Sequence, residues 1–143
     1  MAFKGHFEFS LDAKNRLTLP AKLRASFSSG LVLAKGVDPC LVIFTPGEFD
    51  EFMSFLKDMH QLSPERRRLT RFFISNAFDA ELDSAGRVTL NSQLLEHAGI
   101  AKDVVILGAD DHLEVWDRTR YAEDQADLNV DIARIAESVV HPS

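Results

Sequence analysis

The strongest constraint on the fold of this chain is an internal repeat. Residues 11–19 read Leu-Asp-Ala-Lys-Asn-Arg-Leu-Thr-Leu, and residues 82–90 read Leu-Asp-Ser-Ala-Gly-Arg-Val-Thr-Leu, 71 positions later. A second block, residues 36–44, lies over residues 108–116 at an offset of 72. Because two blocks recur in the same order and at nearly the same separation, the chain is predicted to contain two copies of one small module.

Both copies have the same predicted order of strands and helices. The alternating apolar residues of 6–11 predict a half-buried strand. The Asp-x-x-x-Arg stretch that follows suits a tight connection into a second strand, in which Asn15 or Gly86 can adopt positive φ. A short helix and two more strands complete a β-β-α-β-β module. After the first strand, the elements are predicted at 16–19, 21–27, 31–35 and 41–44, and at 87–90, 92–98, 104–107 and 113–116.

Helices are predicted outside the two modules. Thr45-Pro46-Gly47-Glu48 has the pattern of a capping box ahead of an apolar stripe, and Ser63-Pro64-Glu65 opens a helix rich in arginine. Asp117 is expected to cap a last helix through Tyr121, and the order beyond Asp124 is left open. The fold class is therefore α+β. The predicted parts are a first module at 6–48, a helical connector at 49–76, a second module at 77–120 and an acidic C-terminal segment at 121–143.

Composition and residue spacing disfavour several classes of protein. No apolar run approaches the roughly 20 residues of a membrane span, and the N-terminus lacks a secretory signal, so a cytoplasmic protein without membrane contact is expected. Cys40 is the only cysteine and is predicted to be a buried structural thiol. The five histidines show no metal-binding spacing and there is no Gly-rich phosphate loop, so neither a cofactor nor an enzyme is expected.

The charge of the chain is divided unevenly along its length. The formal net charge of −6 argues against nucleic acid as a partner. Residues 1–30, however, carry five cations against two acids, whereas residues 121–143 carry one arginine against five acids. A nucleic-acid partner would therefore meet the basic end of the chain.

These features together resemble the MraZ family of bacterial transcriptional regulators. The landmarks are Phe3-Lys4-Gly5, the stretch 11–24, the helix from Pro64 to Arg71, and Leu113 to Asp117. The resemblance implies two AbrB-like modules, swapped-hairpin and double-psi-like, that form one pseudo-twofold unit with flanking helices. It also implies a nucleoid-associated, sequence-specific protein that binds double-stranded DNA. Such proteins assemble as a homo-oligomeric ring on short tandem direct repeats upstream of the division and cell-wall gene cluster.

The resemblance also implies which residues face DNA. In the second copy Ala85 replaces Lys14, Leu95 replaces Arg24 and Asn91 replaces Pro20, so DNA contact is expected mainly on the first copy. Asn15 itself stands where the family usually has Gly. The implied DNA-facing residues are Lys14 and Arg16, with Lys4, Lys22 and Arg24 in support and Arg87 from the second copy. The implied structural residues of the motif are Asp12, Asn15, Asp83 and Gly86.

Four questions stay open from the sequence. Arg16 either reads a base or pairs with Asp12, and the two roles are compatible. The arginine run Arg66-Arg67-Arg68 with Arg71 is predicted to form ion pairs with acidic neighbours or an intersubunit contact, in preference to binding DNA. The C-terminal segment either packs on a neighbour, stays mobile or repels DNA. The competing function is a protein-interaction or antitoxin-like module on the same fold.

Overall fold

The computed structural model describes residues 2–140, which form eight strands and five α-helices. The predicted α+β class is confirmed. The strands are β1 His6–Ser10, β2 Arg16–Thr18, β3 Leu31–Lys35, β4 Leu41–Phe44, β5 Phe78–Ala80, β6 Arg87–Thr89, β7 Asp103–Gly108 and β8 Leu113–Asp117. The helices are α1 Ala21–Arg24, α2 Pro46–Met53, α3 Pro64–Phe73, α4 Ser92–Ala98 and α5 Arg118–Val140, and 3-10 turns cover Ala25–Phe27 and Ser54–Asp58.

Each copy of the repeat completes its sheet with a strand of the other copy. The six-stranded antiparallel sheet has the order β1-β7-β8-β4-β3-β5, so β1 pairs with β7 and β5 pairs with β3. The remaining strands, β2 and β6, form a separate two-stranded antiparallel ribbon. Consecutive strands at each Asp-x-x-x-Arg turn therefore pair with the other copy, which is the exchange that a swapped hairpin implies.

The apolar positions of both copies build one shared core. Leu17 and Val88 face each other across the ribbon and are almost inaccessible, and the central strands contribute Leu41, Ile43 and Val115 to the same cluster. Burial of each such side chain contributes about 1.5–3 kcal/mol. The ribbon is thus held against the core by one face, and its other face is free for polar residues.

A smaller cluster covers the opposite side of the sheet. Cys40 lies there, 1% exposed, as predicted for a structural thiol, and burial raises the pKa of this thiol far above its ordinary value. The helix starts predicted from capping residues are also confirmed. The Thr45 hydroxyl accepts from the Glu48 amide at 3.2 Å, and the Ser63 hydroxyl accepts from the Arg66 amide at 3.1 Å.

The last helix is much longer than the sequence analysis expected. Asp117 caps it as predicted, accepting from the Arg120 amide at 3.2 Å, but the helix continues past Tyr121 to Val140. The predicted weak apolar stripe contained Ala126 and Val130, whereas the apolar side of the observed helix begins at Leu128. Residues 141–143 of the predicted acidic segment lie outside the described residues. None of the helices in the described part combines the length and apolarity that a membrane span needs.

Protonation of His112 is predicted to stabilise the fold. Its Nδ1 lies 2.6 Å from an Asp111 oxygen, its Nε2 lies 3.4 Å from Glu114, and its ring stacks on Phe44. Burial lowers the pKa of His112, but its hydrogen bonds to the Glu114 and Asp111 carboxylates outweigh burial and raise the pKa above the ordinary value of 6.5. This stabilisation is full below pH 6.5 and is lost as pH rises through the raised folded-state value.

The measurement is the thermal midpoint between pH 5.5 and 8.5. We expect the wild-type midpoint to fall across this range relative to that of His112→Asn, which has no imidazole to titrate at this position. Parallel curves for the two proteins would show that His112 titrates alike in the folded and unfolded chain.

Candidate nucleic-acid interface

The two Asp-x-x-x-Arg motifs fold into turns with the same hydrogen bonds. One oxygen of Asp12 accepts from the backbone amides of Lys14 and Arg16, both at 2.9 Å, and its other oxygen accepts from Arg16 Nε at 2.6 Å. Asp83 makes the equivalent bonds to the amides of Ala85 and Arg87 at 2.9 Å, and to Arg87 Nε at 2.8 Å. The repeated motif is therefore a repeated turn that orients an arginine.

The geometry of each turn explains its sequence. Asn15 has φ of 56° and Gly86 has φ of 76°, which confirms the prediction that these positions need positive φ. In each turn the pKa of the aspartate is lowered, first by the backbone amide of the arginine and further by its guanidinium. Asp12 and Asp83 are consequently ionised at neutral pH, and their hydrogen bonds stabilise the turn and hold the arginine side chain.

The swapped topology brings both arginines onto one surface. In the ribbon Arg16 lies opposite Thr89 and Thr18 lies opposite Arg87. Residues alternate between the two faces of a strand, and the intervening pair of the ribbon is buried, so these four residues project from the outer side. We call Arg16, Thr18, Arg87 and Thr89 the Arg-Thr face.

Both arginines retain donors for a ligand. Arg16 and Arg87 have side chains that are 28% and 35% exposed, and each uses Nε for its aspartate. No bond from their terminal Nη atoms is found within residues 2–140. A guanidinium carries five N–H donors, so the fork remains able to donate two parallel bonds. The predicted alternative, pairing of Arg16 with Asp12, is confirmed and is compatible with base contact.

Two lysines lie beside the first turn, and only one was predicted. Lys14 is exposed within the turn. Lys102, also exposed, is placed next to it because its carbonyl accepts from the Leu11 amide at 2.9 Å, and a shallow surface depression joins it to Asp12 and Asn15. The repeat gave no signal for Lys102, since its counterpart at an offset of 72 is Gly30. Only the exchange of strands between copies reveals it.

The remaining predicted cations lie at different places, and the Arg24 guanidinium lies across the second turn, beside Gly86. Lys22 Nζ lies 4.7 Å from the centre of the Phe7 ring, and Arg24 Nε donates to the Leu19 carbonyl at 2.9 Å. Lys4 precedes β1, whereas the first turn follows it, so the five residues of β1 separate them by about 16 Å. The structure therefore groups Lys14, Arg16 and Arg87 and leaves Lys4 apart.

The arginines of α3 were predicted to pair with acidic neighbours or to contact another subunit. Within the described residues none of them forms an ion pair. Arg66 donates to the Met59 carbonyl at 3.1 Å, and Arg67 donates to the Leu62 carbonyl at 2.6 Å. Arg67, Arg68 and Arg71 are exposed. The predicted ion pairs are therefore not formed within residues 2–140, where Arg66 and Arg67 instead donate to carbonyls of the segment just before α3. The alternative, a contact with another subunit, stays a prediction.

Comparison with known proteins identifies one family. The family model described as "MraZ protein, putative antitoxin-like" matches residues 2–72 and again 73–137. A protein of Symbiobacterium thermophilum named transcriptional regulator MraZ is 39% identical over 132 residues, covering 90% of this chain and 96% of the relative. The regulators of the same name from Thermoanaerobacter pseudethanolicus and Natranaerobius thermophilus are 35% and 33% identical, with 93% and 96% of both chains covered.

Proposed function

The chain belongs to the MraZ family of transcriptional regulators, and from that premise we propose that it binds double-stranded DNA through the Arg-Thr face. The family consists of regulators and not of enzymes. The observation that carries the proposal is the two-stranded ribbon, which presents two arginines and two threonines on one side while its other side is buried. A two-stranded β-ribbon has the width that the major groove of B-DNA admits.

Each arginine can supply sequence discrimination. An arginine at a groove floor donates two hydrogen bonds to O6 and N7 of guanine, which is worth about 1–3 kcal/mol against the wrong base. Asp12 and Asp83 hold Nε and so fix the direction of the guanidinium before DNA arrives. Pre-orientation reduces the side-chain entropy lost on binding. In this mechanism Arg16 and Arg87 read bases.

The lysines and threonines set the position of the ribbon on the duplex. Lys14 and Lys102 lie at the first turn, where they can attract phosphates flanking the groove, and the hydroxyls of Thr18 and Thr89 can donate to phosphate oxygens. The second turn has Ala85 in place of Lys14. The cation beside the second turn is instead Arg24 of the first copy, whose guanidinium lies next to Gly86. The first copy therefore supplies cations to both turns.

Several subunits are needed for tight binding. One subunit carries few cations at this face and a net charge of −6, so a single contact with DNA is weak. Linked subunits raise the effective concentration of each following contact. The proposed form is a ring-like homo-oligomer, nucleoid-associated in the cytoplasm, whose neighbouring subunits contact short tandem direct repeats upstream of the division and cell-wall gene cluster.

The ionic-strength dependence of DNA binding tests this proposal. With Lys14 and Lys102 on phosphates, the slope of log affinity against log salt is expected to be roughly −2 for each engaged subunit. The measurement is fluorescence anisotropy with DNA from upstream of the protein's own gene and a shuffled duplex as control. Affinity that is flat in salt, or equal for both duplexes, contradicts specific binding through a basic face.

A second candidate function is a protein-interaction module, which the antitoxin-like description of the family favours. In that function the Arg-Thr face meets an acidic protein instead of DNA. Absence of wild-type binding to any tandem-repeat duplex, in protein that is folded and assembled, supports this candidate.

A further inference from the structure

The long helix α5 leaves an apolar stripe uncovered. The helix packs against β7 and β8 through its first turns, and none of its residues is buried. Four apolar residues recur at spacings of four and three and so lie within one narrow sector of the helix. They are Leu128, Ile132, Ile135 and Val139, exposed by 38%, 50%, 39% and 75%. Spacing of this kind suits packing against another helix.

The first copy shows what covers the equivalent helix. By the repeat, α5 follows β8 as α2 follows β4. In the first copy α3 folds back beside α2, and the ring of Phe73 lies 5.8 Å from that of Phe52 and 6.3 Å from that of Phe55. No described element of this chain covers α5 in this way. The place that α3 occupies beside α2 is open beside α5.

The outer surface of α3 has the properties that complement α5. One side of α3 presents Arg67 and Arg71. The C-cap residue Ile74 lies on the same side by helical spacing and is 42% exposed. On α5 the apolar stripe is bordered along one side by Asp124, Asp127 and Asp131. Asp131 makes only an exposed contact with Arg134 at 3.4 Å, and such surface pairs contribute little. In a contact between the two helices, the apolar stripe of α5 can therefore pack on Ile74 while its aspartates pair with the arginines of α3.

We propose that α5 of one subunit docks through this stripe on the outer surface of α3 in a second copy of the chain. Pairing of α5 with another α5 places rows of aspartates near each other, whereas α3 supplies arginines that have no acidic partner among residues 2–140. The contact joins two different surfaces, so it is heterologous and repeats from subunit to subunit until a ring closes. This inference rests on the homo-oligomer of the proposed function and assigns its interface.

Light scattering on the full chain tests the interface. Wild type is expected at a multiple of the 16.0 kDa subunit mass, and Ile132→Asp with Ile135→Asp is expected at 16.0 kDa. Val130→Asp is the matched control, because this substitution also replaces an apolar side chain by aspartate but lies on the opposite side of α5, where Val130 is 85% exposed. It should assemble like wild type. A circular-dichroism melt checks that all variants fold. Monomeric wild type, or a double variant that assembles like wild type, overturns the proposal.

Charge exchange identifies the partner surface. Arg67→Glu with Arg71→Glu should dissociate the assembly, and so should Asp127→Arg with Asp131→Arg. Combining all four substitutions in one chain should restore it. Dissociation by the stripe variant without any effect of the arginine variant rules out α3 as the partner.

The failure of this proposal is distinguishable from failure of the proposed function. Specific DNA binding by an assembly that the stripe variants leave intact rejects only the interface. An assembly that breaks as expected but whose wild type ignores DNA rejects only the DNA-binding proposal.

Discussion

Replacing Arg16 by lysine is expected to weaken binding to the cognate duplex by roughly 5- to 150-fold while leaving binding to shuffled DNA nearly unchanged. Lysine keeps the charge but lacks the planar fork, so it cannot donate two parallel bonds to a guanine edge. Arg87→Lys should behave in the same way if the second copy reads a base. The measurement is the ratio of affinities for cognate and shuffled duplexes at fixed salt.

Two lysine variants provide the contrast. Lys14→Ala should weaken both duplexes by a similar factor and reduce the salt slope by about 1 for each engaged subunit, because it removes a phosphate contact. Lys4→Ala removes the same charge about 16 Å away, at the other end of β1, and should change neither quantity. Equal effects of Lys14→Ala and Lys4→Ala would mean that binding follows net charge instead of a localised face.

The local features of this site could be predicted from the residue pattern, whereas the exchange of strands that assembles it was expected only through the family resemblance. Asp12, Asn15 and Arg16 sit at fixed spacing, so the turn, its positive φ and the tie between Asp and Arg follow from local chemistry. The position of Arg87 beside Arg16 depends on which strand pairs with β2. Both copies offer identical local patterns, and only the packing of the whole chain selects the exchange of strands.

Two further features, the position of Lys102 and the length of α5, were not predicted from the sequence. Lys102 reaches the first turn because β7 pairs with β1, strands separated by most of the chain. The sequence prediction ended α5 too early because it relied on Ala126, Val130 and Ala133. By helical spacing these residues lie on the other side of the helix from the apolar stripe that begins at Leu128.

Exchange between the copies also predicts that Gly86 and Arg24 are energetically coupled. A Cβ at this position would overlap the Arg24 guanidinium, which lies across the second turn while its Nε donates to the Leu19 carbonyl. At the equivalent place in the first turn Asn15 carries a side chain, and the residue equivalent to Arg24 is the shorter Leu95. A side chain at residue 86 would therefore have to displace the end of the Arg24 side chain, in addition to adopting the positive φ.

Gly86→Asn is therefore expected to destabilise the fold by about 0.5–1.5 kcal/mol, because Arg24 must move away and lose its hydrogen bond to the Leu19 carbonyl. Asparagine tolerates positive φ, as Asn15 does, so the cost reports the clash more than backbone strain. Adding Arg24→Leu reproduces the Asn15 and Leu95 pairing of the first turn and should give a coupling energy of about 0.5–1.5 kcal/mol in a double-mutant cycle measured by urea unfolding. Asn15→Gly is the control without a clash and should change the unfolding free energy by less than about 1 kcal/mol. Strict additivity of Gly86→Asn and Arg24→Leu would show that backbone conformation alone selects glycine here, and that the contact between the copies at Arg24 is incidental.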